Sequence, residues 1–191
     1  GRRITVPPGE IRPAMDRMRE SVFSILGSAM GGLEDRRVLD LFCGSGSFSL
    51  EALSRGAANT VLVDGDRRKA AVIGSNFAFV EESRCRLVLV RAERYVARAG
   101  EHGPPDGPEP PAGPTSSFGP PFDLIFADPP FRYTRRVELL SKIAASAVLS
   151  PGGRIVLHFP KDDDLTAEIP GLVHVDRRSY GQSIVHMYES G

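Results

Sequence analysis

Apolar and polar positions change period several times along the chain, and each change marks an element. From Pro13 the pattern is helical: Met18, Val22, Ile25, Leu26 and Ala29 share one face, Arg17, Arg19, Glu20 and Ser21 fall elsewhere, and Gly31-Gly32 stops it. Short apolar runs then alternate with helical stretches. Val38–Phe42 reads as a buried strand, Ser47–Arg55 as a helix ended by Gly56, and Thr60–Val63 as a second strand. Arg67–Phe79 reads as a helix, Arg86–Val90 as a third strand and Phe122–Ala127 as a fourth. Arg135–Leu149 predicts a helix with Val137, Leu140, Ala144, Ala147 and Val148 inward. Pro151-Gly152-Gly153 turns the chain into a fifth strand, Arg154–Phe159, and Val173–Ser179 and Ser183–Tyr188 flank Gly181 as a closing pair. Strands alternating with helices predict an α/β fold, a mostly parallel sheet with helices on both faces. The closing pair has no crossover helix between its members, so one of them must run antiparallel.

Residues 100–121 break the alternation. They hold eight of the sixteen prolines and five glycines, cannot pack a core, and read as a mobile insertion between a helix and a strand. Two parts are expected: a basic N-terminal segment with its helix at 1–32, and a domain at 33–191 that carries the insertion. The 191 residues suit one ordinary domain, and 41 % apolar residues can fill its core.

Charge adds one feature. Basic and acidic residues balance at 24 each, which argues against non-specific coating of nucleic acid. Residues 1–19 nevertheless hold Arg2, Arg3, Arg12, Arg17 and Arg19 against Glu10 and Asp16 only. Other arginine pairs, such as Arg135-Arg136, are scattered and read as solvated faces. Cys43 and Cys85 lie far apart without metal spacing, so no metal is expected and a reducing compartment is. No signal-like opening and no apolar run near the ~20 residues of a membrane span is present, which points to a cytoplasmic protein with no membrane partner; a monomer is expected, although no sequence feature fixes the oligomeric state. The chain opens at Gly1 rather than Met.

Two short segments carry the chemistry. Asp40-Leu41-Phe42-Cys43-Gly44-Ser45-Gly46 lies where the first strand meets its helix, the end of a parallel strand that faces a ligand crevice. Gly44 and Gly46 permit positive φ and close backbone approach. The third glycine of the dinucleotide fingerprint is replaced by Ser49, which disfavours a pyrophosphate ligand and a nucleotide-dependent oxidoreductase. S-adenosylmethionine has no pyrophosphate; Asp40 is placed to meet its ammonium, and Asp64, ending the second strand, to accept from both ribose hydroxyls. Asp66 is a near alternative to Asp64.

Asp128-Pro129-Pro130-Phe131 follows the fourth strand. Two prolines fix φ and remove two donors, leaving a carboxylate and the Asp128 and Pro129 carbonyls as acceptors, with an aromatic plane after them. That set suits an –NH2 group. Acceptors that grip both amine hydrogens aim the nitrogen lone pair, and positioning supplies most of such catalysis. Phe131 can stack on a base that is single-stranded or extruded. A guanine edge offers donors at N1 and N2 and matches an acceptor-only carboxylate, whereas an adenine edge suits an amide better. Asp128 therefore favours guanine.

Together with Arg12-Pro13-Ala14-Met15-Asp16-Arg17-Met18-Arg19-Glu20-Ser21-Val22-Phe23 and the ending around Tyr180-Gly181, these segments resemble the bacterial methyltransferases that modify N2 of a guanine in small-subunit (16S) ribosomal RNA, the guanine-966 type. The resemblance spans nearly the whole chain. It implies a Rossmann-like, seven-stranded, mostly parallel sheet with an antiparallel C-terminal strand, S-adenosylmethionine as donor, and ribosomal RNA or the small ribosomal subunit as partner. It implies Asp128, Pro129, Pro130 and Phe131 at the target base. At the cofactor it implies Asp40, Phe42, Cys43, Gly44, Ser45, Gly46, Asp64 and Gly65, with Ala92 and Glu93 beyond the third strand. Arg12, Arg17 and Arg19 would then contact RNA, or their helix would simply pack on the sheet. Three departures stand out: Ala14 replaces the usual Thr, Arg91 stands where an Asp or Asn usually ends the third strand near the adenine (with Glu93 as its substitute), and the insertion at 100–121 is unusually long. The resemblance implies that some of the family's opening residues precede Gly1. The competing readings are an N6-adenine methyltransferase on DNA or RNA and a non-catalytic S-adenosylmethionine-binding RNA module.

Overall fold

The computed structural model describes residue 5 and residues 13–102, 118–162, 165 and 167–191, so Arg12 and most of the 100–121 insertion lie outside the described residues. Helix α1 (Pro13–Met30) leads into β1 (Arg37–Leu41), α2 (Ser47–Ser54), β2 (Asn59–Val63), α3 (Ala70–Phe77), β3 (Cys85–Val88) and α4 (Ala92–His102). Then come β4 (Phe122–Ala127), α5 (Arg136–Ala144), β5 (Leu149–Pro160), β6 (Leu172–Tyr180) and β7 (Ser183–Ser190). The seven strands form one sheet in the order β3-β2-β1-β4-β5-β7-β6. β1 to β5 pair in parallel, and β7 pairs antiparallel with both β5 and β6, so β7 is the reversed member of the closing pair.

Alternation along the strands divides the core between two faces. On one side Val38, Leu124, Phe126, Val156, Val185 and Met187 pack against Met18, Val22, Phe23 and Leu26 of α1 and Phe48 and Ala52 of α2. The rings of Phe23 and Phe48 lie 5.3 and 4.8 Å from that of Phe126, centroid to centroid. On the other side Leu39, Leu41, Ile125, Ala127, Ile155 and Leu157 meet Tyr95 and Val96 of α4 and Leu139, Leu140 and Ile143 of α5. Each large side chain fully buried here is worth about 1.5–3 kcal/mol.

Two sequence assignments shift. Ala29 is exposed and Phe23 takes its place on the inner face of α1. In α5 the inner face is Leu139, Leu140 and Ile143; Val137 and Ala147 are exposed, and Val148 and Leu149 lie beyond the helix. The helix ends at Ala144, so the period carried through to Leu149 was fitted across a boundary, and its phase slipped with it. The stretch from Arg67 also starts as a 3-10 turn, Arg67–Lys69, before α3 proper.

Candidate active site

The strand order turns back on itself between β1 and β4, so the carboxyl ends of these two strands open the crevice where ligands of such sheets bind. Phe42 leaves β1 with φ +61°, and Gly44 and Gly46 follow at +58° and +79°. Cys43 N–H donates to the Val63 carbonyl at 3.1 Å, which pins the turn to the end of β2. Gly46 caps α2 from the left-handed region, and a Cβ there would lie 2.5 Å from a Phe77 ring carbon. At Gly44 a Cβ would meet only the Phe42 carbonyl, at 3.9 Å: the turn is closed behind and open in front.

The carboxylates around the turn have distinct tasks. Asp64 is 6 % exposed; its Oδ2 accepts from Gly44 N–H and Lys69 Nζ, each at 3.1 Å, and its Oδ1 from Asp66 N–H at 2.8 Å. Asp66 grips Arg68 through both oxygens, which makes it a local cap. Asp40 is buried beneath the turn, where Oδ2 accepts from Ser49 N–H at 3.3 Å and Ser49 Oγ–H at 2.8 Å, with Thr60 Oγ1 2.9 Å from that hydroxyl. Its Oδ1 is buried with no partner among the described residues, an open acceptor under the loop. Asn76 ties the turn to the start of the chain: Nδ2 donates to the carbonyls of Ser45 and Thr5 at 2.9 and 2.8 Å, and Oδ1 accepts from Thr5 N–H at 2.8 Å.

Burial raises the Asp40 carboxyl from the ordinary 3.8 to about 7, against the lowering effect of the Ser49 bonds. The folded chain therefore keeps a proton that the unfolded chain releases, and stability attributable to this group falls as pH rises from about 4 to about 7, by at most about 1.4 kcal/mol per pH unit. Asp40→Asn should flatten that part of the profile. Urea unfolding across this window checks it, and a variant with the same pH dependence as the parent removes the claim.

The second segment lies beside the first. Asp128 N–H donates to the Leu41 carbonyl at 3.3 Å, one residue before the glycine turn begins. Asp128 Oδ1 sits 2.6 Å from His158 Nδ1 on β5. A carboxylate can only accept, so Nδ1 carries the hydrogen. Pro129 is buried, whereas Pro130 and Phe131 are exposed, Phe131 at 45 %. The Pro130 carbonyl is taken by Tyr133 N–H at 2.7 Å; the Asp128 and Pro129 carbonyls accept no backbone bond among the described residues. The Phe131 ring stands edge-on to His158 at 6.0 Å, and Tyr133 stands edge-on to Phe42 at 5.1 Å, joining the two segments. Ala92 and Glu93 open α4 nearby, with Glu93 Oε1 3.8 Å from Arg135 Nη1. Gly65 packs against Arg91, whose Cγ would lie 3.4 Å from a Cβ there. A cavity of about 630 Å³ elsewhere, between Leu165, residues 167–172 and the outer strands, contains none of these side chains.

The chain matches the model of the family described as Conserved hypothetical protein 95 over residues 1–106 and 112–189. It belongs to that family. The family is one of class I methyltransferases. YlbH of Bacillus subtilis, named as a candidate rRNA methyltransferase, is 30% identical over 93% of this chain and 87% of its own length. Ribosomal RNA small subunit methyltransferase D of Escherichia coli is 34% identical over 69% of this chain, and the match spans 56% of that protein. The solved structure of the Escherichia coli protein yhhF, described as a candidate methyltransferase, superposes with a TM-score of 0.79 at 28% identity, covering 100% of this chain and 92% of that one.

Within this family fold the expected residues converge: Asp40, Phe42, Cys43, Gly44, Ser45, Gly46, Asp64 and Gly65 surround one turn, and Asp128 to Phe131 adjoin it. Arg17 and Arg19 lie apart on α1, with Arg19 bound to Asp16 at 2.9 Å. Two residues escape a reading of the sequence. His158 stands alone in an apolar run with no motif around it, yet it is 2 % exposed and bonded to Asp128. Arg136, read as a solvated arginine, is 3 % exposed, with Nη2 3.5 Å from the Phe131 carbonyl and its guanidinium 5.1 Å above the Phe159 ring. The signal available for His158 was a lone polar residue in an otherwise apolar buried run, which has to find a partner.

Proposed function

We propose that the chain transfers a methyl group from S-adenosylmethionine to the exocyclic N2 amine of a guanine in small-subunit ribosomal RNA. The observation that carries this is the placement of an acceptor-only group, Asp128 with its proline-framed carbonyls, beside the glycine turn. The residues present fit the cofactor. The buried, unpartnered Asp40 Oδ1 offers an acceptor toward an ammonium, the front of Gly44 is open, and Asp64 lies beside it as a ribose acceptor. Bound there, S-adenosylmethionine supplies an electrophilic methyl group on a sulfonium. His158 holds Asp128 Oδ1, which leaves Oδ2 and the two carbonyls for the hydrogens of the guanine edge. Asp128, with Oδ1 held by His158, would accept the proton that N2 releases as it gains the methyl group. Phe131, exposed beside this point, stacks on the extruded base. We place the enzyme as a cytoplasmic monomer acting on ribosomal RNA or the small subunit; no helix among the described residues is long and apolar enough to cross a membrane.

Ribosomal RNA from cells with and without the gene, digested to nucleosides and analysed by mass spectrometry, tests the reading. The expected result is one N2-methylguanosine lost and restored on complementation. Loss of N6-methyladenosine instead, or no change in any methylated nucleoside, overturns it.

A further inference from the structure

Arginines distant in the sequence meet at the end of the sheet that holds the site. Arg67 opens the turn after β2, Arg91 and Arg94 flank the start of α4 after β3, and Arg132 follows the tetrapeptide after β4. Arg17 joins them. The Met30 carbonyl at the end of α1 accepts from Arg36, just before β1 starts, while Ser21 Oγ accepts from the Tyr180 hydroxyl at the finishing end of β6, which runs parallel to β1. Helix α1 therefore descends from crest to base, and Arg17, one turn before Ser21, lies at the crest.

All five arginines are exposed, and none has a carboxylate within ion-pair distance among the described residues. Three carboxylates near the site are held by other cations: Asp64 by Lys69, Asp66 by Arg68, Glu93 by Arg135. At the base end Arg36 pairs with Asp123, Arg55 with Glu51 and Arg154 with Glu189, and Arg84 donates to the carbonyls of Leu53, Ala57 and Ala58. Five exposed arginines without an ion-pair partner among the described residues thus stand around one rim. Guanidinium groups in that arrangement suit phosphates, which they bind in fork geometry.

We infer that Arg17, Arg67, Arg91, Arg94 and Arg132 form a phosphate-tracking rim that holds the RNA backbone on either side of the base delivered to Asp128. This deepens the reading given above and rests on it. The rim fixes placement while the tetrapeptide reads the base, the usual division between backbone and edge contacts.

The test is the salt dependence of binding to a 16S ribosomal RNA transcript, measured on the full chain from low to moderate KCl. Arg17→Gln, Arg67→Gln, Arg94→Gln and Arg132→Gln are combined; Arg91 is left intact because it packs on Gly65. At about 0.7 per single-strand phosphate contact, the slope of log K against log salt should shrink by about 3. Arg36→Gln with Arg55→Gln, at the base, should leave it unchanged. Melting curves confirm that both variants fold. An unchanged slope in the rim variant, or an equal loss per charge in the base variant, overturns the rim. Failure of the parent chain to methylate the transcript or assembled small subunits instead overturns the reading beneath it, with the slopes still comparable.

Discussion

Asp128→Ala is expected to reduce methyl transfer by about two to three orders of magnitude or more, the scale seen when a preorganised group at a reacting centre is removed. The effect falls on the chemical step. The hydrogen bond from Asp128 to the cofactor segment is its backbone N–H to Leu41, which alanine retains, and its charge acts on Asp40 less than burial and the Ser49 hydroxyl do, so calorimetric affinity for S-adenosylmethionine should stay within about threefold, or about 0.7 kcal/mol. His158→Leu supplies the second arm. It removes the bond that fixes Oδ1 without touching the substrate, so kcat should fall by about tenfold with little change in KM for RNA. The double variant should be no worse than Asp128→Ala alone, because the two act as one unit. Near-normal turnover in Asp128→Ala removes the carboxylate from the reaction. Additive losses in the double variant leave it in place and show that His158 acts elsewhere.

Gly46→Ala should destabilise the fold by about 2–5 kcal/mol. The left-handed backbone at φ +79° costs an L-residue about 1–2 kcal/mol, and a methyl 2.5 Å from the Phe77 ring and 3.0 Å from Leu62 Cδ2 adds overpacking of about 1–3 kcal/mol. Urea unfolding measures the loss. Phe77→Leu in the same chain should recover part of it, since the clash is with that ring and the backbone strain is not. A single variant within about 0.5 kcal/mol of the parent would show that the turn does not need glycine there.

The sequence made the architecture and two segments of the site readable for a physical reason: both are local. A glycine turn at a strand end and a proline-framed acceptor after another strand declare themselves within seven and four residues. Apolar runs placed β1 to β4 within about two residues, because buried parallel strands leave them, whereas β5 starts at Leu149 with Pro151-Gly152-Gly153 inside it rather than before it, and β6, largely exposed, is marked by its turn at Gly181. What escaped was non-local. His158 takes its meaning from a strand pairing that sets β5 beside β4, 30 residues from Asp128. Arg136 takes its meaning from the fold of the tetrapeptide above it, which turns a charged residue at the start of α5 inward. The phase of α5 slipped because Ala147 and Val148 continue an apolar period past the helix end. Apart from Arg91 and Arg94, the rim arginines share no window; the topology gathers them from α1, from the start of α4 and from the turns after β2 and β4.

Asn76 has one more consequence. Its carboxamide is spent wholly on main chain, two groups of Thr5 and one of Ser45, and no water or second side chain is needed to complete it. Thr5 and the glycine turn thus hang from one knot. Thr5 and Ser45 can each drift in sequence only as far as the main-chain path is kept, because none of the three bonds to Asn76 reads a side chain, and slackening the knot would release both together.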